Sequence, residues 1–147
     1  MKKLILAALA LALIGSLFGC ARNPVTGKRQ IVLVSESEEI AMGQQSDPQV
    51  RQEYGVVESQ ALQNYVQAMG RKLVAVSHRP NLDWHFTVVD SSVVNAFAIP
   101  GGYVYLTRGI LAYLGSEAEL AGVMGHEIGH VTAQHSVRQI TRQQSVL

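Results

Sequence analysis

Cysteine is nearly missing from this chain: Cys20 is the only one in 147 residues. One thiol cannot close an internal disulfide, which excludes a cross-linked scaffold. Neither sign of charge is in excess. Twelve Lys and Arg stand against eleven Asp and Glu. There is no basic run or patch, and this argues against nucleic acid as a partner. The long apolar run near the N-terminus is short for a stable membrane span. No internal repeat is visible. Acidic residues stop early, for no Asp or Glu follows Glu127.

What is present begins with a leader. Met1-Lys2-Lys3 is basic, Leu4 to Leu13 is almost wholly apolar, and Ile14 to Gly19 leads to Cys20. That order reads as a secretory signal peptide over residues 1–19. Leu17-Phe18-Gly19-Cys20 resembles a bacterial lipobox, in which the cysteine is lipidated and becomes the mature N-terminus. Phe18 is a less usual residue there, but the sole cysteine falls where such processing needs it. Several acyl chains on Cys20 would anchor the protein stably to a membrane. Ala21 rather than Asp follows Cys20, which in a Gram-negative cell favours the outer membrane, facing the periplasm. Without Lys2 and Lys3 the mature chain has ten basic residues against eleven acidic ones. Residues 20–34 read as the lipidated N-terminus and a tether, with a turn-rich Asn23-Pro24-Val25-Thr26-Gly27 and an apolar Ile31 to Val34. Residues 35–147 read as the folded part.

Periodicity places the elements of that part. Ser35 followed by Glu38 is a capping box that starts a helix running towards Gln45, and Asp47-Pro48 restarts a second short one. Glu58 to Val76 carries Leu62, Tyr65, Val66, Met69, Leu73 and Val76 at helical steps. Asp83 to Asp90 alternates as a strand with Trp84, Phe86 and Val88 on one side and His85 on the other. Val93 to Ile99, a Pro100-Gly101-Gly102 turn and the strand-forming Tyr103 to Thr107 follow, then a short helix from Gly109 to Leu114. Ser116 and Glu119 cap one more helix, expected to run to about Gln143. The class is α+β, with a small, mainly antiparallel sheet.

The chemistry lies in that last helix, at His126-Glu127-Ile128-Gly129-His130. Residues four apart on a helix sit about 40° from one another, so both imidazoles can reach one metal ion. The glutamate falls beside that face, where it can take a proton from water and pass it to a leaving amine. This is the H-E-x-x-H pattern of zinc peptidases. Gly122, Gly125, Gly129 and Ala133 form a small-residue stripe beside the histidines. Each helix glycine costs about 1 kcal/mol relative to alanine, so close backbone approach, a roomy site or a tight helix contact is implied. On a straight helix His135 points roughly opposite to His126. The longer motif with a third histidine places it ten residues after the first, behind a glycine. His135 is nine residues on and no glycine stands in that place, so it is excluded as a ligand and read as a packing or outer-sphere residue. A catalytic zinc takes three protein ligands, and the helix supplies two.

Asn95-Ala96-Phe97-Ala98-Ile99-Pro100-Gly101-Gly102-Tyr103-Val104-Tyr105, Gly109, and His126 through His135 together resemble the Ste24-like family of zinc metalloendopeptidases. The likeness is to its soluble bacterial lipoprotein branch, in which Asn-Pro-Val-Thr-Gly soon after the lipidated cysteine is also familiar. The resemblance implies a gluzincin-type, zincin-like fold with one zinc ion per chain. It implies His126 and His130 as ligands, Glu127 as the catalytic glutamate, and a third ligand glutamate on a later helix. That glutamate is expected beyond Leu147, the chain being read as C-terminally truncated and, in this form, without robust activity. It also implies polypeptide substrates among misfolded or unassembled envelope proteins. The residues add a reading of their own: Asn95 and Ala96 lie on a sheet edge to which a peptide can add as a strand, with Gly101-Gly102 allowing close backbone approach. The competing reading is a non-catalytic, chaperone-like or binding lipoprotein; retention of Glu127 favours the enzyme.

Overall fold

The computed structural model describes residues 21–22, 29–30 and 34–144, with side-chain surroundings to residue 139. The leader and Cys20 lie outside the described residues, as does most of the tether. Within the tether, strand β1 (Ala21–Arg22) pairs antiparallel with β2 (Arg29–Gln30). No helix among the described residues is long and apolar enough to cross a membrane.

Helix α1 (Glu36–Tyr54) starts at the capping box seen in the sequence. The Ser35 hydroxyl accepts from the Glu38 N–H at 3.3 Å, and the Glu38 carboxylate accepts from the Ser35 N–H at 2.7 Å. The helix does not stop and restart, however; it runs unbroken through Pro48. Proline removes one intrahelical bond, and tertiary ties hold the turn. Asp47 accepts from Arg51 at 2.8 Å and from the Tyr105 hydroxyl at 2.7 Å. Arg51 in turn donates to Thr87 at 3.0 Å. The middle of α1 is thus bound to the sheet.

Helix α2 (Gln60–Val74) is capped by Ser59 and is shorter than its apolar pattern suggested. Val66 and Val74 are buried, while Tyr65 and Val76 are exposed, the latter beyond the helix end. Its polar residues do as much as its apolar ones. Gln63 donates to the carbonyls of Val57 and Val88 and accepts from the Val88 N–H, each at 2.9 Å. Gln67, one turn on, accepts from the Phe86 N–H and donates to the Trp84 carbonyl. These two amides close one edge of the sheet.

That sheet has three strands in the order β3-β5-β4: β3 (His85–Val89), β4 (Ala96–Ile99) and β5 (Tyr103–Thr107). It is mixed, not mainly antiparallel. β4 and β5 form an antiparallel hairpin, whereas β3 pairs parallel with β5 from His85↔Tyr103 to Val89↔Thr107. Alternation marks a strand but not its neighbour; the central place of β5 shows only in its burial, complete at all five residues. The hairpin turns at Gly101 and Gly102, whose φ of 85° and 91° suits glycine. His85 stacks on Tyr103, ring centroids 4.5 Å apart, away from the main core.

Trp84, Phe86, Val88, Val104, Leu106, Leu120, Met124 and Ile128 join the sheet to α2 and to α4 (Glu117–Thr132) in one core. Each such side chain contributes about 1.5–3 kcal/mol by burial, which outweighs the weak helix preference of a glycine-rich α4. Between β5 and α4 lies the short helix α3 (Arg108–Tyr113), capped by Thr107.

Helix α4 ends at Thr132, short of the expected Gln143. Gln134 takes a left-handed conformation, φ 54°, and a separate helix α5 (His135–Gln144) follows. The physical reason is long-range: Gln134 Nε2 donates to the buried carboxylate of Glu39 at 3.1 Å.

Candidate metal centre and cleft

Ser116 fixes where α4 begins, its hydroxyl accepting from the Glu119 N–H at 3.2 Å. From that start the helix phase puts Leu120, Met124 and Ile128 in the core and leaves Gly122, Gly125, His126 and Gly129 exposed. His126 and His130 rise from the open side one turn apart. Their Nε2 atoms approach to 2.8 Å, and the rings stand at 89° with centroids 4.4 Å apart. Two nitrogens bound to one zinc at about 2.0–2.1 Å can be at most about 4 Å apart. A tetrahedral ion sets two such nitrogens about 3.3 Å apart, so the pair fits a shared ion through Nε2 once its 2.8 Å contact opens slightly. Among the described residues no group of three or more His, Cys, Asp or Glu is placed to hold a metal.

His135 is not on the opposite side of the helix, as a straight α4 would have put it. The break at Gln134 returns it to the histidine pair, its Nδ1 2.7 Å from Nδ1 of His130. It meets the ring nitrogen of His130 that faces away from His126.

Glu127 lies between the two histidines in sequence and is 9% exposed. Burial pushes its carboxyl above the usual carboxylate range, partly offset by His130 and His126. A carboxylate made more basic by its surroundings is suited to accept a proton from water.

Val94, Asn95 and Ala96 face His126 and Glu127 across a cleft of about 570 Å³, with Gly122 and Val123 on the helix side. The register separates the roles of the two sheet residues. The Asn95 carbonyl accepts from the Thr107 N–H at 3.1 Å, and its N–H donates to the Thr107 hydroxyl at 3.2 Å. Its main chain is therefore turned inward. Ala96 and Ala98 sit opposite Leu106 and Val104, the alternate positions of the antiparallel ladder. Residues there point their N–H and C=O groups away from the partner strand. The β3 edge is closed by Gln63 and Gln67; the β4 edge has no strand beside it among the described residues.

Of the small-residue stripe Ala133 is buried, while the three glycines pack against nothing among the described residues. A Cβ on Gly122, Gly125 or Gly129 would meet no atom within 4 Å. Gly109 is the opposite case. A Cβ there would lie 2.3 Å from the Ser92 carbonyl oxygen, so the 91–94 segment that rims the cleft rests directly on α3.

Sequence reasoning missed two contributors. Thr107 anchors the start of β4 through its hydroxyl, which also accepts from the Ile110 N–H at 3.1 Å. Its capping position was a usable signal. Glu39, 95 residues from Gln134, gave none, because nothing local distinguishes it from Glu36 and Glu38.

The chain is 35% identical over 121 residues to the beta-barrel assembly-enhancing protease of Yersinia pestis, covering 82% of this chain and 25% of that protein. It is 33% identical over 111 residues to the protein of the same name in Escherichia coli (strain K12), covering 76% and 23%. It is also 33% identical over 120 residues to the mitochondrial metalloendopeptidase OMA1 of Schizosaccharomyces pombe, covering 80% and 36%. The chain thus spans about a quarter of the length of the bacterial relatives. Residues 60–147, from the start of α2 through the histidine pair, match the model of peptidase family M48, a family of metallopeptidases, and the chain belongs to that family.

Proposed function

We propose that this chain carries the catalytic helix of a zinc-dependent metalloendopeptidase of gluzincin type. The observation that carries the reading is the convergence of His126 Nε2 and His130 Nε2, 2.8 Å apart, beside a buried Glu127. His126 and Glu127 line the cleft with Asn95 and Ala96, and His130 stands one turn further on, beside Ile99 and Pro100. His126 and His130 hold the ion, one per chain; when bound, zinc supplies Lewis acidity toward a peptide carbonyl and toward water. Glu127 takes a proton from the water whose oxygen bonds to the peptide carbonyl carbon, and delivers it to the amine nitrogen as the C–N bond breaks, giving a carboxylic acid and an amine. The substrate lies as an added strand along β4. Ala96 supplies the main-chain hydrogen bonds at the cleft, and Asn95 borders the bound peptide with its side chain. A catalytic zinc takes a third protein ligand, which the family resemblance implies is a glutamate.

Substrates are polypeptides, in particular misfolded or unassembled proteins of the cell envelope. The names of the bacterial relatives and the lipobox-like Leu17 to Cys20 support that setting. A lipid on Cys20 would tie the protein to the outer membrane on its periplasmic side. The second reading, a non-catalytic binding lipoprotein, is favoured by one fact alone: the described residues supply two ligands.

The test is metal first, then chemistry. Competition against a chromophoric chelator should show one zinc per chain, lost in His126→Ala and in His130→Ala but kept in Glu127→Gln. In the full-length protein, chelator-sensitive cleavage of an unfolded polypeptide should fall by about 10²–10⁴-fold in Glu127→Gln. Asn95→Ala should raise KM. Zinc binding indifferent to both histidines would overturn the metal site, and cleavage indifferent to Glu127 would overturn the enzyme.

A further inference from the structure

Glu39 is a carboxylate that the proposed chemistry does not use. It is 1% exposed, in the first helix, and it meets three later parts of the chain. Its Oε1 accepts from Arg79 Nη1 at 2.9 Å and from the Gly101 N–H at 3.4 Å; its Oε2 accepts from Gln134 Nε2 at 3.1 Å. Arg79 also donates to Glu36 at 3.0 Å and to the Val131 carbonyl, near the end of α4, at 3.4 Å. Helix α1, the loop after α2, the β4–β5 turn and the α4–α5 junction therefore meet on one carboxylate. A buried charge persists only where it is paired and hydrogen-bonded on this scale.

The residue it grips at the junction is the one non-glycine with positive φ among the described residues. A left-handed conformation is disfavoured for any residue with a side chain, so Gln134 needs a tie to stay there. That conformation ends α4 and turns the chain so that His135 comes back onto His130. The contact is between the two Nδ1 atoms, 2.7 Å apart. A histidine that binds a metal through Nε2 carries its proton on Nδ1, and the partner accepting there fixes the tautomer and the ring.

We propose that Glu39 and His135 are positioning residues for the metal-binding pair. Glu39 holds Gln134 in the left-handed turn, the turn seats His135, and His135 Nδ1 accepts the Nδ1 proton of His130. Nε2 of His130 is then left as a lone pair facing His126. The inference rests on the zinc reading above, but its first readout needs no metal.

The experiment uses the whole chain with isotope-labelled histidine, and circular dichroism confirms that each variant is folded. Long-range ¹H–¹⁵N spectra of the metal-free protein should show His130 protonated on Nδ1. Gln134→Leu leaves the Glu39–Arg79 pair intact, and His135→Ala alters an exposed side chain. Both should mix the His130 tautomers and weaken zinc binding by about 10–100-fold. His135→Asn, whose Oδ1 can accept in the same place, should restore both readouts. Unchanged tautomer and zinc affinity in Gln134→Leu would overturn the role of Glu39; the same result in His135→Ala would overturn the whole inference. If the parent binds no zinc while its tautomer responds as described, the metal reading fails and the positioning network stands.

Discussion

The hydroxyl of Thr107 and the main chain of Asn95 hold each other in place. The Asn95 N–H donates to that hydroxyl at 3.2 Å, and the hydroxyl lies 2.8 Å from the Asn95 carbonyl. The same oxygen caps α3 through the Ile110 N–H, 3.1 Å away. One buried threonine thus sets both the entry of β4 into the cleft and the helix that supports the rim. Thr107→Val keeps the shape and removes the oxygen, leaving the buried Ile110 N–H and the half-buried Asn95 N–H without that partner. It should cost about 1–3 kcal/mol, read from urea denaturation; an unchanged midpoint would show that water replaces the hydroxyl.

Glu127 makes the metal-free protein sensitive to pH in a definite direction. Its folded carboxyl is held above the ordinary value, by burial first, against the opposing pull of His130 and His126. The folded state therefore binds the proton more tightly than the unfolded state. Stability is lost as pH rises from the ordinary glutamate value through the raised one. Glu127→Gln should melt at a higher temperature than the parent near neutral pH with chelator present. The gap should close below the ordinary carboxylate range. A gap that widens in acid would contradict the sign.

Gly109→Ala pits helix preference against a fixed neighbour. Alanine gains about 1 kcal/mol over glycine inside a helix. Its Cβ would press 2.3 Å from the Ser92 carbonyl oxygen, and overpacking costs about 1–3 kcal/mol. The obstacle is backbone, so the clash should win and the melting temperature should fall. The displaced 91–94 segment should also alter Asn95 amide shifts in NMR spectra.

Gly125→Ala meets no such obstacle, for nothing lies within 4 Å of the new methyl. Helix preference acts alone there, and the chain should gain about 0.5–1 kcal/mol. A fall in melting temperature would mean that another segment packs on this face.

The helix caps at Ser35 and Ser116 and the presence of the three main strands were legible from local spacing, because each depends on residues within a few positions. The path of the chain past a weak point was not. Pro48 looked like the start of a second helix and is not one, since Asp47 and Arg51 bind that turn to Tyr105 and Thr87. Gln134 looked like mid-helix and is an end, because Glu39 grips it. Strand pairing was also out of reach: β5 is central because α2 covers one side of β3 with two glutamines and the hairpin supplies the other neighbour.

Local spacing was enough to place three side chains together on α4. Helical spacing alone brings His126 and His130 to one face with Glu127 beside it, since a 3.6-residue turn needs no tertiary partner to align them. The tertiary structure decided what surrounds that triplet: the open edge of β4 across the cleft, the inward turn of Asn95, and the return of His135 onto His130. Those relationships join residues as far apart as Glu39 and Gln134. They exist only because burial of a shared core brings distant segments within hydrogen-bonding reach, which no local pattern encodes.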